Sequence, residues 1–194
     1  KRQGGAITNF TNTLPAPNSD LAKQTLKDPY IFDFLQLTED YKDRDIENQL
    51  TQHITKFLLE LGKGFAFVGK QYELQLNEKE YFIDLLFFNL KLNCYVVFEL
   101  KAREFAPQDV GQIKWYMELV NNNIKEQSHN PTIGIILCKN KDRIMVEYML
   151  SNNQNPLGVA TFNRYEELPE NYAKYLPNEK EIIKRLGDFN EENF

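Results

Sequence analysis

Three charged side chains interrupt two of the most apolar stretches of this sequence. Asp84 lies inside the run 81–88, and Glu99 and Lys101 end the run 94–101. A carboxylate or an ammonium group in such surroundings costs free energy unless another group compensates its charge. Because alternate residues of a β-strand point to the same face, Glu99 and Lys101 project together. If the two runs pair as a hairpin, Asp84 meets Glu99 across the strands.

Two carboxylates and one ammonium group on one sheet face can bind a divalent cation and act on a phosphate. Carboxylate oxygens, together with a backbone carbonyl, are ligands for hard cations such as Mg²⁺. The cation polarises the phosphate and lowers the pKa of a bound water, and Lys101 can orient that water or stabilise charge in the transition state. The alternative is an internal ion pair between Lys101 and one carboxylate. Because Asp84 and Glu99 would then share one lysine, a negative charge would stay unbalanced, and this favours the cation.

Further residues lie where they could support these three. Glu47 lies beside the apolar stripe of a predicted helix, and Gln112 lies beside that of a second predicted helix. Each is also the kind of residue that borders any amphipathic helix. Arg103 and Lys114 are candidates for contact with nucleic-acid phosphates, and a solvated surface is the alternative for both.

Hydrophobic periodicity predicts the elements that position these residues. Apolar residues recur at helical spacing through 43–61, and Pro107 suits the first turn of a second helix that ends near residue 124. Successive apolar runs indicate strands that are covered on both faces. The predicted strands are 65–76, 81–90, 94–100, 133–138 and 157–162, with a charged helix at 141–150. The order helix, three strands, helix, strand, helix, strand predicts an α/β fold in which helices flank a sheet.

Length and composition restrict the class of protein. The 194 residues suffice for one compact domain with extensions. The formal net charge of −5 gives no general attraction to nucleic acid, so an enzyme acting on nucleic acid would need a local basic surface or a further domain. No apolar stretch approaches the about 20 residues of a membrane-spanning helix, and the sequence has no signal peptide. We therefore expect a soluble cytoplasmic protein.

Cysteine and histidine usage argues against disulfides and zinc. Cys94 and Cys138 lie in apolar runs, where we expect both to be buried and reduced. His53 and His129 have no cysteine or histidine partner at the spacing of a zinc site. The metal chemistry of this chain is therefore expected to depend on carboxylates.

An acid on one strand, followed by an E-x-K sequence on the next, is a pattern that resembles the PD-(D/E)XK nuclease superfamily. The likeness is closer to the C-terminal nuclease domain of the bacterial YhcG-like proteins, and it extends over residues 5–165. The segments that carry it are Asp45–Glu47, Leu59–Tyr72, Ile83–Phe87, Cys94–Lys101, Gly111–Gln112 with Tyr116, and Asn130–Cys138. Because several long segments match in order, the resemblance is specific.

The resemblance implies a restriction-endonuclease-like αβββαβ core, a mixed central sheet flanked by helices, with a Mg²⁺- or Mn²⁺-dependent phosphodiesterase site. It assigns that site to Asp84, Glu99 and Lys101, the first two as metal ligands, with Glu47 and Gln112 in support. It also implies an N-terminal domain that this sequence lacks, since full-length relatives carry one. Many relatives place lysine where this chain has Gln112.

We therefore expect a connector from the missing domain at residues 1–35, the nuclease domain at 36–165 and a charged C-terminal extension at 166–194. The expected function is metal-dependent hydrolysis of phosphodiester bonds, in DNA, in defence or repair. RNA as a substrate and a homodimeric assembly stay open. The alternative from a different class is a restriction-like fold that binds nucleic acid or organises an assembly without turnover.

Overall fold

The computed structural model describes residues 6–163 except 27, 33 and 37–39. Within these residues the chain forms seven strands and six helices. They are β1 (Ile7–Thr8), α1 (Phe10–Thr13), α2 (Asn18–Thr25), β2 (Tyr30–Ile31), α3 (Asp43–Gln52), α4 (Ile54–Leu61), β3 (Phe65–Leu76), β4 (Lys79–Asn89), β5 (Cys94–Glu104), α5 (Pro107–Asn123), β6 (Ile133–Asn140), α6 (Arg143–Ser151) and β7 (Leu157–Asn163). From α3 to β6 this is the predicted αβββαβ order, with the first helix divided into α3 and α4.

One half of the sheet, formed by β3, β4 and β5, is antiparallel. The turn between β3 and β4 has Asn77 and Glu78 at φ angles of 49° and 63°, which match the twist of a hairpin. In the turn between β4 and β5, the Asn89 carboxamide oxygen accepts hydrogen bonds from the backbone N–H groups of Lys91 and Leu92, both at 3.0 Å. These short turns fix the register of the three strands.

The other half of the sheet, formed by β5, β6 and β7, is parallel, with α5 and α6 as the crossover helices. Pro107 begins α5, where its missing N–H group is not needed. The helix lies close to β6 because Gly134 has no side chain: a Cβ there would lie 2.5 Å from Met117 Sδ. This approach fixes the position of α5 on the sheet, and with it the residues of its first turns.

Apolar side chains fill both faces of the sheet. On one face the rings of Phe57, Phe87 and Phe98 pack together, with centroids 5.3 to 6.1 Å apart. On the other face Ile113 and Met117 of α5 are fully buried. The two layers hold α3 and α4 on one side of the sheet and α5 on the other.

The N-terminal segment is more than the expected connector within its described residues. Residues 6–31 contain β1, α1, α2 and β2, and Phe10 and Tyr30 are fully buried in the core. β1 pairs antiparallel with β7, and β2 pairs parallel with it. These elements are two to eight residues long, too short to produce a visible hydrophobic period.

Other differences from the predicted elements are small. The helix predicted at 43–61 is interrupted at His53, whose φ of −110° and ψ of 38° separate α3 from α4. Cys94 and Cys138 are buried and unpaired, as predicted. The charged extension predicted at 166–194 lies outside the described residues. In the part of the chain that is described, no helix has both the length and the apolar character needed to cross a bilayer.

Candidate active site

The pairing between β4 and β5 ends in a fork, and the carboxylate of Asp84 lies in it. Backbone pairing stops at Leu85 opposite Phe98. Beyond that pair, the Leu100 N–H donates to Asp84 Oδ2 at 2.9 Å. Burial raises the pKa of Asp84, and the hydrogen bond from Leu100 opposes this rise. A side chain therefore takes the place of a cross-strand backbone partner.

Glu99 and Lys101 form a buried ion pair with one acidic oxygen left over. Glu99 is 1% exposed, and its Oε1 accepts a hydrogen bond from Lys101 Nζ at 2.8 Å. Its Oε2 has no hydrogen-bond partner among the described residues. Burial and the charge of Asp84 raise the pKa of Glu99 to about 7, against the effect of Lys101. Burial lowers the pKa of Lys101, but Glu99, Asp43 and Asp84 together outweigh burial, and the pKa lies above its usual value.

Gln71 of β3 connects Asp84 to the helix α3. Its Nε2 donates to Asp84 Oδ1 at 3.3 Å and also to Glu47 Oε2. Glu47 is 3% exposed. Burial raises the pKa of Glu47, and the hydrogen bond from Gln71 opposes this. The sequence did not single out Gln71, because strand alternation shows only that it lies on a polar face.

Gln112 of α5 contacts the site from the other side of the sheet. Its Oε1 accepts a hydrogen bond from Lys101 Nζ at 3.2 Å, and its Nε2 donates to the Tyr116 hydroxyl oxygen at 3.4 Å. The ammonium of Lys101 thus lies between a carboxylate and a carboxamide. The structure brings the five residues predicted from the sequence into one cluster: Glu47, Asp84, Glu99, Lys101 and Gln112.

A second residue that sequence reasoning missed, Asp43, ties α3 to β5. Asp43 begins α3, and its Oδ1 accepts a hydrogen bond from the Ala102 N–H, next to Lys101. Burial is the main cause of the raised pKa of Glu99, and the charge of Asp43 adds to it. Acids are common in the first turn of any helix, so nothing in the sequence pattern places Asp43 at the site.

The two residues predicted to contact phosphates lie at the edge of the cluster. Arg103 donates from Nη1 and Nη2 to the Asp109 carboxylate at 3.0 and 2.6 Å, and its side chain is 47% exposed. Lys114 is half-buried on α5, two residues after Gln112. At about 100° per residue, it projects from a different side of that helix. Arg103 is thus held by an acid, and Lys114 points away from the Gln112 contact.

A surface groove of about 410 Å³ lies beside Ala102, the residue that follows Lys101. It is lined by Tyr41, Lys42, Asp43, Arg44, Ala102 and Arg103. Lys42 and Arg44 are exposed. The Nζ of Lys139 lies 5.4 Å from the centre of the Tyr41 ring. The groove therefore places several positive charges beside the acidic cluster, although the whole chain is negative.

The donors at the fork suit a hard divalent cation. Glu99 offers a buried oxygen without a partner among the described residues. Burial and the nearby charge of Asp84 raise the pKa of Glu99, and a positive ion beside it would lower this pKa. Among the described residues, no group of three or more His, Cys, Asp or Glu side chains is arranged to hold a metal. Mg²⁺ commonly binds through one or two carboxylates and keeps several waters, so Asp84 and Glu99 fit this cation.

Two solved structures resemble part of this fold. One is a repair endonuclease from Pyrococcus abyssi, 20% identical, with a TM-score of 0.42 over 66% of this chain and 49% of that chain. The other is an EndoMS–dsDNA2 complex, 15% identical, with a TM-score of 0.42 over 71% of this chain and 50% of that chain.

The sequence itself has a closer relative. It is 33% identical over 172 residues to the Escherichia coli (strain K12) protein named "Putative nuclease YhcG", and the alignment covers 89% of this chain and 43% of the relative. The chain thus spans less than half the length of that relative. The family described as "YhcG PDDEXK nuclease domain" matches residues 23–177. The resemblance predicted from the sequence is confirmed, and the chain belongs to the YhcG PDDEXK nuclease domain family.

Proposed function

We propose that this chain hydrolyses phosphodiester bonds in DNA with Mg²⁺ or Mn²⁺ held by Asp84 and Glu99. One observation carries the proposal: the buried Glu99 carboxylate keeps an oxygen without a hydrogen-bond partner, beside a second carboxylate in the fork of the sheet. A buried acid in that state costs free energy in the protein alone. A divalent cation removes the cost, and the family of the chain supports a nuclease.

The bound cation would polarise the phosphate and lower the pKa of a water ligand. Lys101 supplies the remaining positive charge. Its ammonium is held by Glu99 on one side and by Gln112 on the other, at 2.8 and 3.2 Å. Held in this way, it can orient a water molecule or donate a hydrogen bond to a phosphate oxygen as negative charge develops there.

The remaining polar residues fix the position of these groups. Glu47 and Gln71 hold Asp84 from the side of α3, and Gln112 with Tyr116 holds Lys101 from the side of α5. Helices packed on opposite faces of one sheet thus both reach the fork. Such support from rigid elements preserves the geometry of a catalytic site.

The groove beside Ala102 is the proposed path of the nucleic-acid backbone. Lys42, Arg44 and Arg103 line it, and phosphate contacts by Lys and Arg supply most of the affinity that does not depend on sequence. Lys114 is proposed as a further contact. Because the net charge is −5, we infer that these contacts are weak and that a further domain of the whole protein adds to binding. A role in defence or repair and a homodimeric assembly stay predictions.

The test is incubation of the chain with plasmid, linear, branched and single-stranded DNA and with RNA, each with Mg²⁺, Mn²⁺ or EDTA. We expect cleavage that needs the metal and is lost in Asp84→Asn, which removes a charged ligand. Lys91→Met is the control, because Lys91 lies in the turn that follows β4, away from the fork. If the chain cleaves RNA but not DNA, its substrate is RNA and the proposal of DNA is wrong.

One observation favours a binding module without turnover: Lys101 is already paired with Glu99, as in a purely structural ion pair. The same assay decides between the two functions. A chain that binds nucleic acid but cleaves no substrate with either metal, and whose melting temperature does not respond to Mn²⁺, would support the module and end the catalytic proposal.

A further inference from the structure

Gln71 has a backbone conformation that side chains rarely adopt. It lies within the twelve-residue strand β3, yet its φ is 41°, in the left-handed region. The pairing of β3 with β4 also shifts register nearby, between Phe67 and Gly69. A non-glycine residue in this region is strained, and such strain persists only where surrounding contacts impose it. No turn or chain reversal at this point accounts for it, since β3 continues to Leu76.

The Gln71 side chain makes two contacts from this strained position. The pairs Lys70–Leu85 and Tyr72–Ile83 flank it, so Gln71 lies opposite Asp84 in the ladder. From there its single Nε2 group donates to two carboxylates, Asp84 and Glu47. An amide nitrogen carries two hydrogens and can serve both acids at once. The strained backbone thus places a neutral donor between two like charges.

This arrangement divides the surroundings of Asp84 into two sides. Gln71 engages Oδ1, and the Leu100 N–H engages Oδ2. Toward α3, the space between Asp84 and Glu47 is occupied by the Gln71 carboxamide. Toward β5, the Glu99 Oε2 atom has no partner among the described residues. The side toward β5 thus leaves a buried acidic oxygen for a cation.

We propose that Gln71 is a positioning residue that limits this centre to one divalent cation. Its carboxamide occupies the space between Glu47 and Asp84 in which a second cation would otherwise bind, and it leaves the side toward Glu99 for the first. This inference rests on the proposed metal-dependent function. It adds to that function how many cations the site binds and which residue sets this number.

The test compares Gln71→Gly with the parent chain by calorimetric titration with Mn²⁺. Glycine adopts positive φ readily, so this variant removes the carboxamide without adding backbone strain. We expect one bound Mn²⁺ in the parent and two in Gln71→Gly. Adding Glu47→Gln to Gln71→Gly is expected to return the number to one, because the second cation would lose a carboxylate.

Two further variants separate positioning from a merely structural effect. Gln75→Ala lies on the same strand, where Gln75 is exposed and contacts Glu73, and it is expected to bind one Mn²⁺ like the parent. Asparagine tolerates positive φ, and its side chain is one methylene shorter than that of glutamine. Gln71→Asn therefore takes the place of Gln71→Gly in the test if the glycine variant does not fold. It is expected to bind the second cation as well.

Two Mn²⁺ ions in the parent, or one ion in folded Gln71→Gly with the parent's affinity, would overturn the inference. If the parent binds Mn²⁺ and cleaves DNA, either result leaves the proposed function intact. A parent that binds no Mn²⁺ and cleaves nothing would overturn both, so the two failures are distinguishable.

Discussion

Two acid–base pairs lie where β5 leads into α5, and they differ in how fully the acid is satisfied. Glu99 and Asp109 are each 1% exposed, and each is paired with a basic side chain. Both oxygens of Asp109 accept hydrogen bonds, from two nitrogens of Arg103 and from the Ala106 N–H, at 2.6 to 3.0 Å. Glu99 engages only Oε1, with Lys101.

Since burial is the same, it cannot account for the difference between the two pairs. Asp109 closes the turn between β5 and α5 and satisfies an N–H at the start of the helix, so its partners are those of a structural residue. Glu99 has the same cost of burial without the compensation. A buried acid that keeps a free oxygen is expected where something else binds to it, and this comparison separates a structural pair from the pair for which we propose a function.

Lys101→Met tests the functional pair with the largest expected effect. Methionine keeps much of the apolar stem but loses the ammonium. A contact made mainly in the transition state is worth ~2.7–4 kcal/mol, so cleavage is expected to fall about 10²- to 10³-fold. The measurement is the cleavage rate together with the melting temperature, with Lys91→Met as the control. If Lys101→Met unfolds instead, Lys101 is structural like Arg103, and the distinction between the pairs fails.

The pH dependence of stability tests the unsatisfied acid itself. The pKa of Glu99 is raised to about 7 in the folded chain. Between the usual glutamate pKa and about 7, the unfolded chain releases the proton while the folded chain keeps it. Stability of the metal-free protein is therefore expected to fall as pH rises through this range, by at most roughly 3 kcal/mol from this group.

The measurement is denaturant unfolding in EDTA at pH 5 and pH 8, for the parent and for Glu99→Gln. The variant cannot titrate at this position, so its loss of stability over the same range is expected to be smaller. Equal losses in the two proteins would show that Glu99 does not carry an uncompensated charge, and the contrast with Asp109 would disappear.

The three central residues of the candidate site can be predicted from the sequence. Asp84, Glu99 and Lys101 are recognisable because they are charged residues within apolar runs, a conflict visible without any structure. The long strands and α5 follow from the same runs. Hydrophobic patterning thus predicts both the elements and the three residues that interrupt it.

Gln71 and Asp43 are not recognisable in this way. A glutamine on the polar face of a strand and an acid at a helix start are ordinary residues, and what distinguishes them is tertiary: a φ of 41° in one case and a hydrogen bond to Ala102 in the other. The break at His53 and the short elements before Tyr30 also escape periodicity, because a repeat of about 3.6 or 2 residues needs several turns or pairs to show.

Asp109→Ala tests the structural pair, with a smaller expected effect. The variant loses the acceptor for the Ala106 N–H and for Arg103, which is half exposed and can turn to solvent. Loss of such a cap typically costs about 1–2 kcal/mol, measured as the shift in the denaturant midpoint. Cleavage under conditions where the variant is folded is expected to stay near that of the parent. A loss of cleavage as large as in Lys101→Met would place Asp109 in the catalytic machinery.

The smallest expected effect concerns whether Arg103, held by Asp109, still contacts phosphate. Lys42 and Arg44 line the same groove and are exposed. Each full phosphate contact contributes about 1 to the slope of log affinity against log salt, which is about three- to fourfold in affinity between 50 and 200 mM.

The measurement is fluorescence anisotropy with a short DNA, in the non-cleaving Lys101→Met background. Lys42→Ala and Arg44→Ala are each expected to reduce the salt slope by about 1. Arg103→Ala is expected to reduce it by less, because its guanidinium already donates to Asp109 at 3.0 and 2.6 Å. Arg143→Ala is the matched control, since that arginine pairs with Glu147 on α6, away from the groove. If Arg103→Ala reduces the slope most, the pair with Asp109 opens on binding, and Arg103 then serves binding as well as structure.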